Sequence, residues 1–273
     1  MTSDNHKITL LVSTYNWPEA LGLVFYSLSL QTLLPDEVVI ADDGSTSETA
    51  ELVKRAASQL PIPVKHVWQE DDGFRKSLIL NKAVKEASGD YIIQIDGDIV
   101  MERHFIADHV KVMGKGRFVR GNRAYLDEKL TREWTEGYKR GDLAGVHVPP
   151  KSGYLSKSNS NRKMAYYRIL NFLTGGRAKV LRVRGCNMAY WKTDFVRVNG
   201  YNNDFAGWGW EDTEFAIRMH NAGVRIKKMK FVGIAYHLFH PENSREREEI
   251  NGKLARECLE SGISVAANGY SES

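Results

Sequence analysis

Two acidic residues one position apart are the first candidates for chemistry in this chain. Asp96 and Asp98 flank Gly97 and follow the apolar run at residues 91–95. Both carboxylates are therefore expected at the end of a buried strand, where with phosphate oxygens they could complete the octahedral shell of a divalent cation. An Asp-Gly hairpin turn would account for Asp96 and Gly97 but gives Asp98 no task. A phosphatase with an Asp-x-Asp nucleophile is disfavoured, because that chemistry normally uses the first strand.

A second candidate is the segment Gly207-Trp208-Gly209-Trp210, which runs directly into Glu211 and Asp212. A helix N-terminus would explain the two acids, and tryptophans often fill a core. The glycines are not explained in this way, since glycine loses more conformational entropy on folding than other residues and is unfavourable unless the loop must bend or admit a ligand. Tryptophan rings can stack on sugars, and an ionised carboxylate at a helix start can accept a proton from a hydroxyl nucleophile.

His237 and His240 lie three residues apart near the end of a short apolar run. A single histidine is usually structural. A histidine at a strand end beside two carboxylates is a stronger candidate for a metal ligand, and an imidazole in the shell would favour Mn²⁺ over Mg²⁺. His237 is taken as the ligand, and the role of His240 stays open.

Composition and charge narrow the class of protein. The chain has 273 residues, of which 42% are hydrophobic and 26% charged, as in ordinary globular proteins. Its 38 Lys and Arg exceed its 34 Asp and Glu by four, so the surface is mildly basic, without the concentrated excess of a nucleic-acid binder. Neither a P-loop nor a dinucleotide-binding glycine motif is present. A metal would then carry much of the charge of a bound diphosphate, and Arg75, Lys76 and Lys82 could add positive potential.

The elements that must position these residues alternate in the first hundred positions. Strands are predicted at residues 8–12, 37–41, 64–68 and 91–95, and helices at 18–30 and 78–87. This alternation is typical of an α/β fold with a mostly parallel sheet flanked by helices. Polar clusters follow three of the strands, at residues 13–16, 42–46 and 96–98, and the carboxyl ends of such strands are where ligands bind.

The rest of the chain is less regular. A helix is expected at 103–113, a strand at 183–191, and helices at 212–221 and 242–260, with a frayed end from Ser264. Residues 120–180 resist assignment and contain a polar, basic run at 151–163. One domain, 1–273, is predicted. Two cysteines, Cys186 and Cys258, with no long apolar run, favour a reducing cytoplasmic setting without a membrane anchor.

Taken in order, these motifs resemble those of family 2 glycosyltransferases with the nucleotide-sugar-binding GT-A fold. The donor half of that family is matched by Val12–Asn16, Asp42–Thr46, Asn81 and Asp96–Asp98. The acceptor half of β-1,4-galactosyltransferases and bacterial chondroitin polymerases is matched by Arg184–Ala189, Asn199–Tyr201 and Gly207–Asp212, and their metal histidine by His237. The resemblance covers about residues 8–100 and 182–242, with residues 1–100 as the nucleotide-sugar half, 101–242 as the acceptor half and 243–273 as a terminal helix and tail.

The resemblance implies a metal-dependent inverting enzyme that moves a hexose or hexosamine from a UDP-sugar to a hydroxyl of a growing glycan or lipid-linked glycan. Asp212 would be the base, since retaining relatives often carry Asn there, and Glu211, Trp208 and Trp210 would bind the acceptor. Trp210 stands where many relatives have glycine. Mn²⁺ or Mg²⁺ would be held by Asp96, Asp98 and His237. The nucleotide-sugar would contact Thr14, Tyr15, Asn16, Asp42, Asp43, Arg75, Asn81, Asp96 and Gly97.

Three alternatives remain at this point. A retaining transferase could use the same scaffold, and a noncatalytic module could bind a sugar-nucleotide or a glycan. A nucleotidyltransferase is disfavoured, because residues 13–16 are not the glycine-rich basic loop that it would show after the first strand. No nucleic-acid partner is expected, and peripheral association with an anionic membrane through residues 151–163 is left open.

Overall fold

Strands and helices alternate regularly through the first hundred residues, as the sequence predicts. The computed structural model describes residues 6–146, 155–156, 180–230, 232–241 and 246–273. The strands of this part are β1 (Ile8–Thr14), β2 (Glu37–Asp42), β3 (Val64–Trp68) and β4 (Tyr91–Asp96). Its helices are α1 (Pro18–Ser29), α2 (Ser47–Gln59) and α3 (Lys76–Glu86), of which α2 was not predicted.

The remaining elements alternate less strictly. The strands are β5 (Ile99–Met101), β6 (Arg117–Arg120), β7 (Asn122–Leu126), β8 (Leu155–Ser156), β9 (Asn187–Trp191), β10 (Arg225–Lys228) and β11 (Ile234–His237). The helices are α4 (Phe105–Val112), α5 (Glu128–Lys139), α6 (Lys192–Arg197), α7 (Glu211–Asn221) and α8 (Glu248–Ser261).

The larger sheet has seven strands in the order β10-β6-β9-β4-β1-β2-β3. Every neighbouring pair is parallel except those of β9, which runs antiparallel to both β4 and β6. An antiparallel strand begins at the edge where its parallel neighbours end. Because Asn187 pairs with Ile95, the residues just before β9 reach the same sheet edge as Asp96.

The smaller sheet, β5-β11-β7-β8, brings a distant histidine to this edge. His237 at the end of β11 pairs with Ile99 on antiparallel β5 and with Tyr125 on parallel β7. Since Ile99 directly follows Asp98, this register sets His237 beside the second carboxylate of the Asp96-Gly97-Asp98 triplet.

Hydrophobic packing on both faces of the large sheet holds these edges in place. Leu10 and Val12 pack with α1 on one face, whereas Leu11 packs with α3 on the other, and all three are fully buried. Burying an aliphatic side chain of this size contributes about 1.5–3 kcal/mol. The strands are therefore almost continuously apolar, as expected for a parallel sheet covered on both sides.

Three expectations about boundaries were wrong. The helix expected at 242–260 begins at Glu248, after a turn at residues 246–247. The strand predicted from residue 183 begins at Asn187, because Val183 follows a 3₁₀ turn at Val180–Arg182. The chain beyond Ser264 is not frayed: Ala266 donates its N–H to Val198 O at 3.1 Å and Tyr270 donates to Asn199 O at 2.8 Å. Asn199 adopts a left-handed conformation with φ 58°, which presents its backbone and side chain to this tail.

Residues 120–180, which resisted assignment, contain β7 and α5. Most of the basic run at 151–163, with its predicted contact with membranes or acceptors, lies outside the described residues. Within the described part of the chain, no helix is both long and apolar enough to span a bilayer. Both cysteines are buried free thiols.

Candidate active site

Asp98, His237 and His240 form a cluster whose ligand atoms all lie within 4.8 Å of one another. The Nε2 atoms of His237 and His240 are 3.5 and 3.2 Å from Asp98 Oδ2. Their Nδ1 atoms lie 2.7 Å from the carbonyl oxygens of Leu238 and Pro241, to which an Nδ1–H donates. That hydrogen bond holds one proton on Nδ1, so Nε2, the nitrogen that faces Asp98, is the atom that a metal would take in place of a second proton, as in metal-binding histidines.

The chemistry of this cluster fits a divalent cation. Asp98 Oδ1 is buried and has no hydrogen-bond partner among the described residues, which is costly unless a ligand supplies one. Burial opposes the charge of Asp98, but the adjacent His237 and His240 hold its pKa below the ordinary value. The hydrogen bond to Asp98 in turn raises the pKa of His240. Two imidazole nitrogens and a carboxylate suit Mn²⁺.

Asp96 has different partners from Asp98. Its Oδ1 accepts hydrogen bonds from Ser13 Oγ at 2.8 Å and from Lys76 Nζ at 2.7 Å. The cluster of possible metal ligands in the described residues does not include it. Its predicted role as a metal ligand stays a prediction, and its position beside the cluster also suits contact with the donor.

Asp212 also lines this site, from the start of α7. Its Oδ2 accepts the N–H of Gly185 at 2.8 Å, and its Oδ1 accepts the hydroxyl of Tyr201 at 3.2 Å. A Cβ on residue 185 would overlap the Asp212 carboxylate, so glycine is needed there. These contacts orient the carboxylate and leave it at the cavity surface.

Lys76 links Asp96 with Asp212. Its Nζ lies 2.7 Å from Asp96 Oδ1 and 3.9 Å from Asp212 Oδ2. Burial alone would lower the pKa of Lys76, but Asp212 and Asp96 raise it well above the ordinary value. The ammonium group is therefore charged, and it offsets part of the repulsion between these carboxylates.

Glu211 is buried beside Asp212 and accepts the N–H of Gly209 at 3.0 Å. Burial, and then the charge of Asp212, raises the pKa of Glu211 to about 7. A carboxyl group in this state can donate as well as accept a hydrogen bond near neutral pH, which suits a contact with a sugar hydroxyl.

The loop before α7 is held in an unusual backbone conformation. Gly207, Gly209 and Trp210 have φ values of 73°, 108° and 74°, a region that strongly favours glycine. The Trp210 ring packs on α8, with the Arg256 guanidinium 5.6 Å from its centroid. Trp208 and Trp210 both line the cavity, but Trp210 also has this structural contact.

The residues predicted to bind the nucleotide fall into two groups. Those that line the cavity are Thr14, Tyr15, Asp43, Asp96 and Gly97. Tyr15 is 52% exposed, and its hydroxyl donates to Asp71 at 2.9 Å. Asp43 accepts from Arg75 N at 2.9 Å and from Gln69 Nε2 at 2.6 Å, and burial raises the pKa of its carboxyl.

The second group lies outside the described cavity wall and holds loops together. Asp42 accepts the Ser45 N–H and pairs with His66 Nε2, each at 2.8 Å. Asn16 bridges the loops after β1 and β2, the Arg75 side chain pairs with Asp72, and Asn81 donates to Tyr201 O at 2.9 Å. Their predicted contacts with the nucleotide stay predictions.

One cavity of about 1230 Å³ is lined both by the metal cluster of Asp98, His237 and His240 and by the acids Glu211 and Asp212. Gly185 and Tyr201 lie in motifs that the sequence analysis matched, but it assigned them no role, because their contacts with Asp212 are visible only in the fold. His240 was recognisable from its three-residue spacing, and Lys76 was noted only as a source of positive potential.

Comparison with known families agrees with this geometry. The family described as "Glycosyl transferase family 2" matches residues 9–180, well over half of the chain. The chain belongs to glycosyltransferase family 2. The family described as "N-terminal domain of galactosyltransferase" matches residues 174–241, which contain Asp212 and His237. The predicted family membership and the predicted enzyme class are confirmed.

Named relatives of this family 2 chain include a chondroitin synthase of Escherichia coli, 26% identical over 90% of the chain and 37% of the relative. A validoxylamine A glucosyltransferase of Streptomyces hygroscopicus subsp. limoneus is 25% identical over 82% of the chain and 50% of the relative. The chain thus spans half or less of the length of these two proteins.

Solved structures confirm the GT-A fold. S. aureus TarS 1-349 in complex with UDP superposes with a TM-score of 0.62 over 97% of the chain and 68% of that structure, at 17% identity. A mannosyltransferase from Pyrobaculum calidifontis in complex with GDP-Man and Mn²⁺ gives a TM-score of 0.58 over 93% of the chain and 61% of that structure, at 19% identity.

Proposed function

We propose that this family 2 glycosyltransferase is a metal-dependent, inverting enzyme that transfers a sugar from a UDP-sugar to a hydroxyl of a growing glycan. The observation that carries the proposal is that the Asp98, His237 and His240 cluster and the Asp212 carboxylate face one cavity. A metal site beside a positioned carboxylate is what activation of a diphosphate leaving group and of a hydroxyl nucleophile requires.

The donor would lie along the carboxyl ends of β1, β2 and β4. Thr14, Tyr15 and Asp43 would contact the uridine, and Asp96 and Gly97 the ribose and sugar. Asp98, His237 and His240 would hold Mn²⁺, with Asp96 as the further ligand that the sequence predicts. When bound, the metal neutralises charge on the diphosphate and makes it a better leaving group. TarS in complex with UDP supports this choice of nucleotide.

In the reaction, the acceptor oxygen forms a bond to the anomeric carbon from the face opposite the diphosphate. The bond between the anomeric carbon and the phosphate oxygen breaks, its electron pair goes to that oxygen, and the proton of the acceptor hydroxyl goes to Asp212. One in-line displacement inverts the anomeric configuration. Gly185 and Tyr201 hold the carboxylate in the orientation that this transfer needs.

The acceptor would enter beside the loop before α7. Glu211 would hydrogen-bond a sugar hydroxyl, while Trp208 and Trp210 provide apolar surface for a sugar ring. The chondroitin synthase among the relatives supports a glycan acceptor. Contact with a lipid-linked glycan at a membrane surface belongs to the same proposal.

A donor screen tests this function. The protein is incubated with a panel of UDP-sugars, with GDP-mannose as the comparison nucleotide-sugar, and with and without an acceptor library, while nucleotide release is followed. We expect acceptor-stimulated release of UDP and a product of inverted configuration by NMR. A product of retained configuration would replace this proposal with the retaining mechanism, and binding without turnover would favour a noncatalytic module.

The metal is tested in the same assay. Chelator should abolish turnover, and Mn²⁺ should restore it best. Asp98→Ala should weaken UDP binding in the presence of Mn²⁺ but not in chelator, whereas Glu51→Ala, which removes an exposed carboxylate on α2, should behave as wild type. Full turnover in chelator would contradict the metal-dependent mechanism.

A further inference from the structure

Arg123 on β7 is a cationic residue of the cavity wall that the proposed reaction does not yet use. Alternate residues of a strand share a face, so Arg123 and Tyr125 point the same way. Tyr125 pairs with His237 in the register of β7 and β11, and the two rings lie 5.3 Å apart. Arg123 therefore extends the wall that carries the metal cluster.

The guanidinium of Arg123 is held by neutral groups. Its Nη1 donates to Cys186 Sγ at 2.8 Å, and its Nε and Nη2 donate to the Tyr125 hydroxyl, Nε at 2.8 Å. Burial raises the pKa of the Cys186 thiol to about 11, so the sulfur is uncharged near neutral pH. The protein thus fixes the orientation of Arg123 without neutralising it.

Arg218 is a buried arginine of the same protein whose charge is balanced by a carboxylate. It makes two hydrogen bonds to the Glu214 carboxylate, at 2.6 and 2.8 Å. Among the described residues, the polar partners of Arg123 are Cys186 and Tyr125, and neither is a carboxylate. A half-buried cation without an acidic partner is unfavourable unless an anion reaches it, and two of its five N–H groups remain to bind one.

The location of Arg123 identifies the anion. Its partner Cys186 follows Gly185, whose N–H holds Asp212. Its other partner, Tyr125, lies beside His237 of the metal cluster. The guanidinium is therefore placed between the metal cluster and the base. In the proposed reaction, the bond between the anomeric carbon and the phosphate oxygen breaks at this point.

We propose that Arg123 binds the sugar-proximal phosphate of the donor and stabilises the negative charge that this phosphate gains as the glycosidic bond breaks. This inference rests on the proposed transferase function. The planar guanidinium can donate paired N–H groups to phosphate oxygens. Together with the metal, it would be the second cation in contact with the leaving group. A uronate carboxylate on a sugar offers the same oxyanion chemistry, and the test separates the two sources.

The test compares ligands that share uridine and differ in phosphate. UDP, UMP and uridine are titrated calorimetrically into wild type, Arg123→Met and Arg123→Lys, in chelator and again with Mn²⁺. We expect Arg123→Met to weaken UDP by about 10- to 100-fold, the scale of a hydrogen bond between charged groups. The effect on UMP should be smaller, uridine should be unchanged, and Arg123→Lys should lie between wild type and Arg123→Met.

Arg197→Met provides the matched control, since it removes an exposed arginine on α6 that pairs with Asp194. It should leave all three affinities unchanged. Unchanged uridine binding by Arg123→Met shows that the site is still folded. Equal losses for UDP, UMP and uridine would show a merely structural role and overturn the proposal.

Other outcomes also decide the question. Wild-type UDP affinity in Arg123→Met would overturn the inference while leaving the transferase function intact. Glucuronate is titrated into the same proteins. Loss of its binding in Arg123→Met, with UDP affinity kept, would assign Arg123 to a sugar carboxylate and overturn the phosphate assignment. Failure of the wild type to bind UDP in either buffer would remove the UDP-sugar function and this inference together.

Discussion

The two halves of the predicted site use their polar residues differently. In the donor half, Asp42 is fully buried, and both of its oxygens accept from or pair with neighbouring loop residues. Asn16 and Asn81 are also engaged within the protein. In the acceptor half, Glu211, Asp212 and the histidines face the cavity. Motif residues therefore divide between those that shape the strand-end loops and those that line the cavity, and substitutions can tell the two groups apart.

The largest effect is expected for Asp212→Asn, which keeps the size and most hydrogen bonds of the side chain but removes its ability to take a proton. We expect kcat to fall by about 10² to 10⁴, the range of general base catalysis. The affinity for the UDP-sugar should barely move, because the base acts on the acceptor in the transition state. Steady-state kinetics with donor titration measures both quantities.

The matched control is Asp194→Asn, since Asp194 also lies in the first turn of a helix in the acceptor half. It should leave kcat within about twofold of wild type, as is usual for a substitution away from the reacting groups. A near-normal kcat for Asp212→Asn would remove Asp212 as the base and reopen the retaining mechanism.

In the donor half, Asp42→Ala should reduce stability more than activity. It leaves the Ser45 N–H and His66 without their partner, and the expected loss is about 2–4 kcal/mol of unfolding free energy, measured by urea denaturation. Asp43→Ala, at the neighbouring position that lines the cavity, should instead raise the Kd for UDP. A stable Asp42→Ala protein with weak UDP binding would show that Asp42 contacts the nucleotide directly.

Glu211→Gln should change how stability depends on pH. The folded-state pKa of about 7 lies above the ordinary carboxyl value of 4.5, so the native state holds its proton more tightly than the unfolded state. Wild-type stability is then lost as pH rises from about 4.5 through 7. The difference in Tm, variant minus wild type, should therefore be about 2–8 °C greater at pH 8 than at pH 5.

A Tm difference that stays constant between these pH values would show that Glu211 does not titrate in this range. The same variant should raise the KM for the acceptor and leave the affinity for UDP unchanged, because its carboxyl group faces the acceptor side.

The smallest effect on stability is expected for Trp210→Gly. Glycine relieves a left-handed conformation that costs an L-residue about 1–2 kcal/mol, but the packing of the ring on α8 is lost. These changes oppose each other, so the net shift should be about 1 kcal/mol. Acceptor preference in a competition assay should change more than donor preference. A change confined to donor preference would place Trp210 outside the acceptor site.

The sequence predicted the parallel strands of the donor half well, because buried runs such as Val38–Ala41 have a clear apolar pattern. Helix α2 was missed because its apolar positions are few. Strands β6 and β10 were missed because both begin and end with arginine or lysine, and because they pair with each other across a long stretch of sequence. Motif order predicted Asp98, His237 and Asp212, but Arg123 lies in no motif, and its position depends on strand register.

The close approach of Gly185 to Asp212 has an evolutionary consequence. With a carboxylate at position 212, any side chain at 185 would collide with it, so neither residue can vary freely while the other is kept. Among homologues we expect the two positions to covary: chains with a side chain at 212 that is smaller than aspartate should tolerate alanine or serine at 185. A larger residue at 185 would then mark, from sequence alone, a descendant that no longer uses this base.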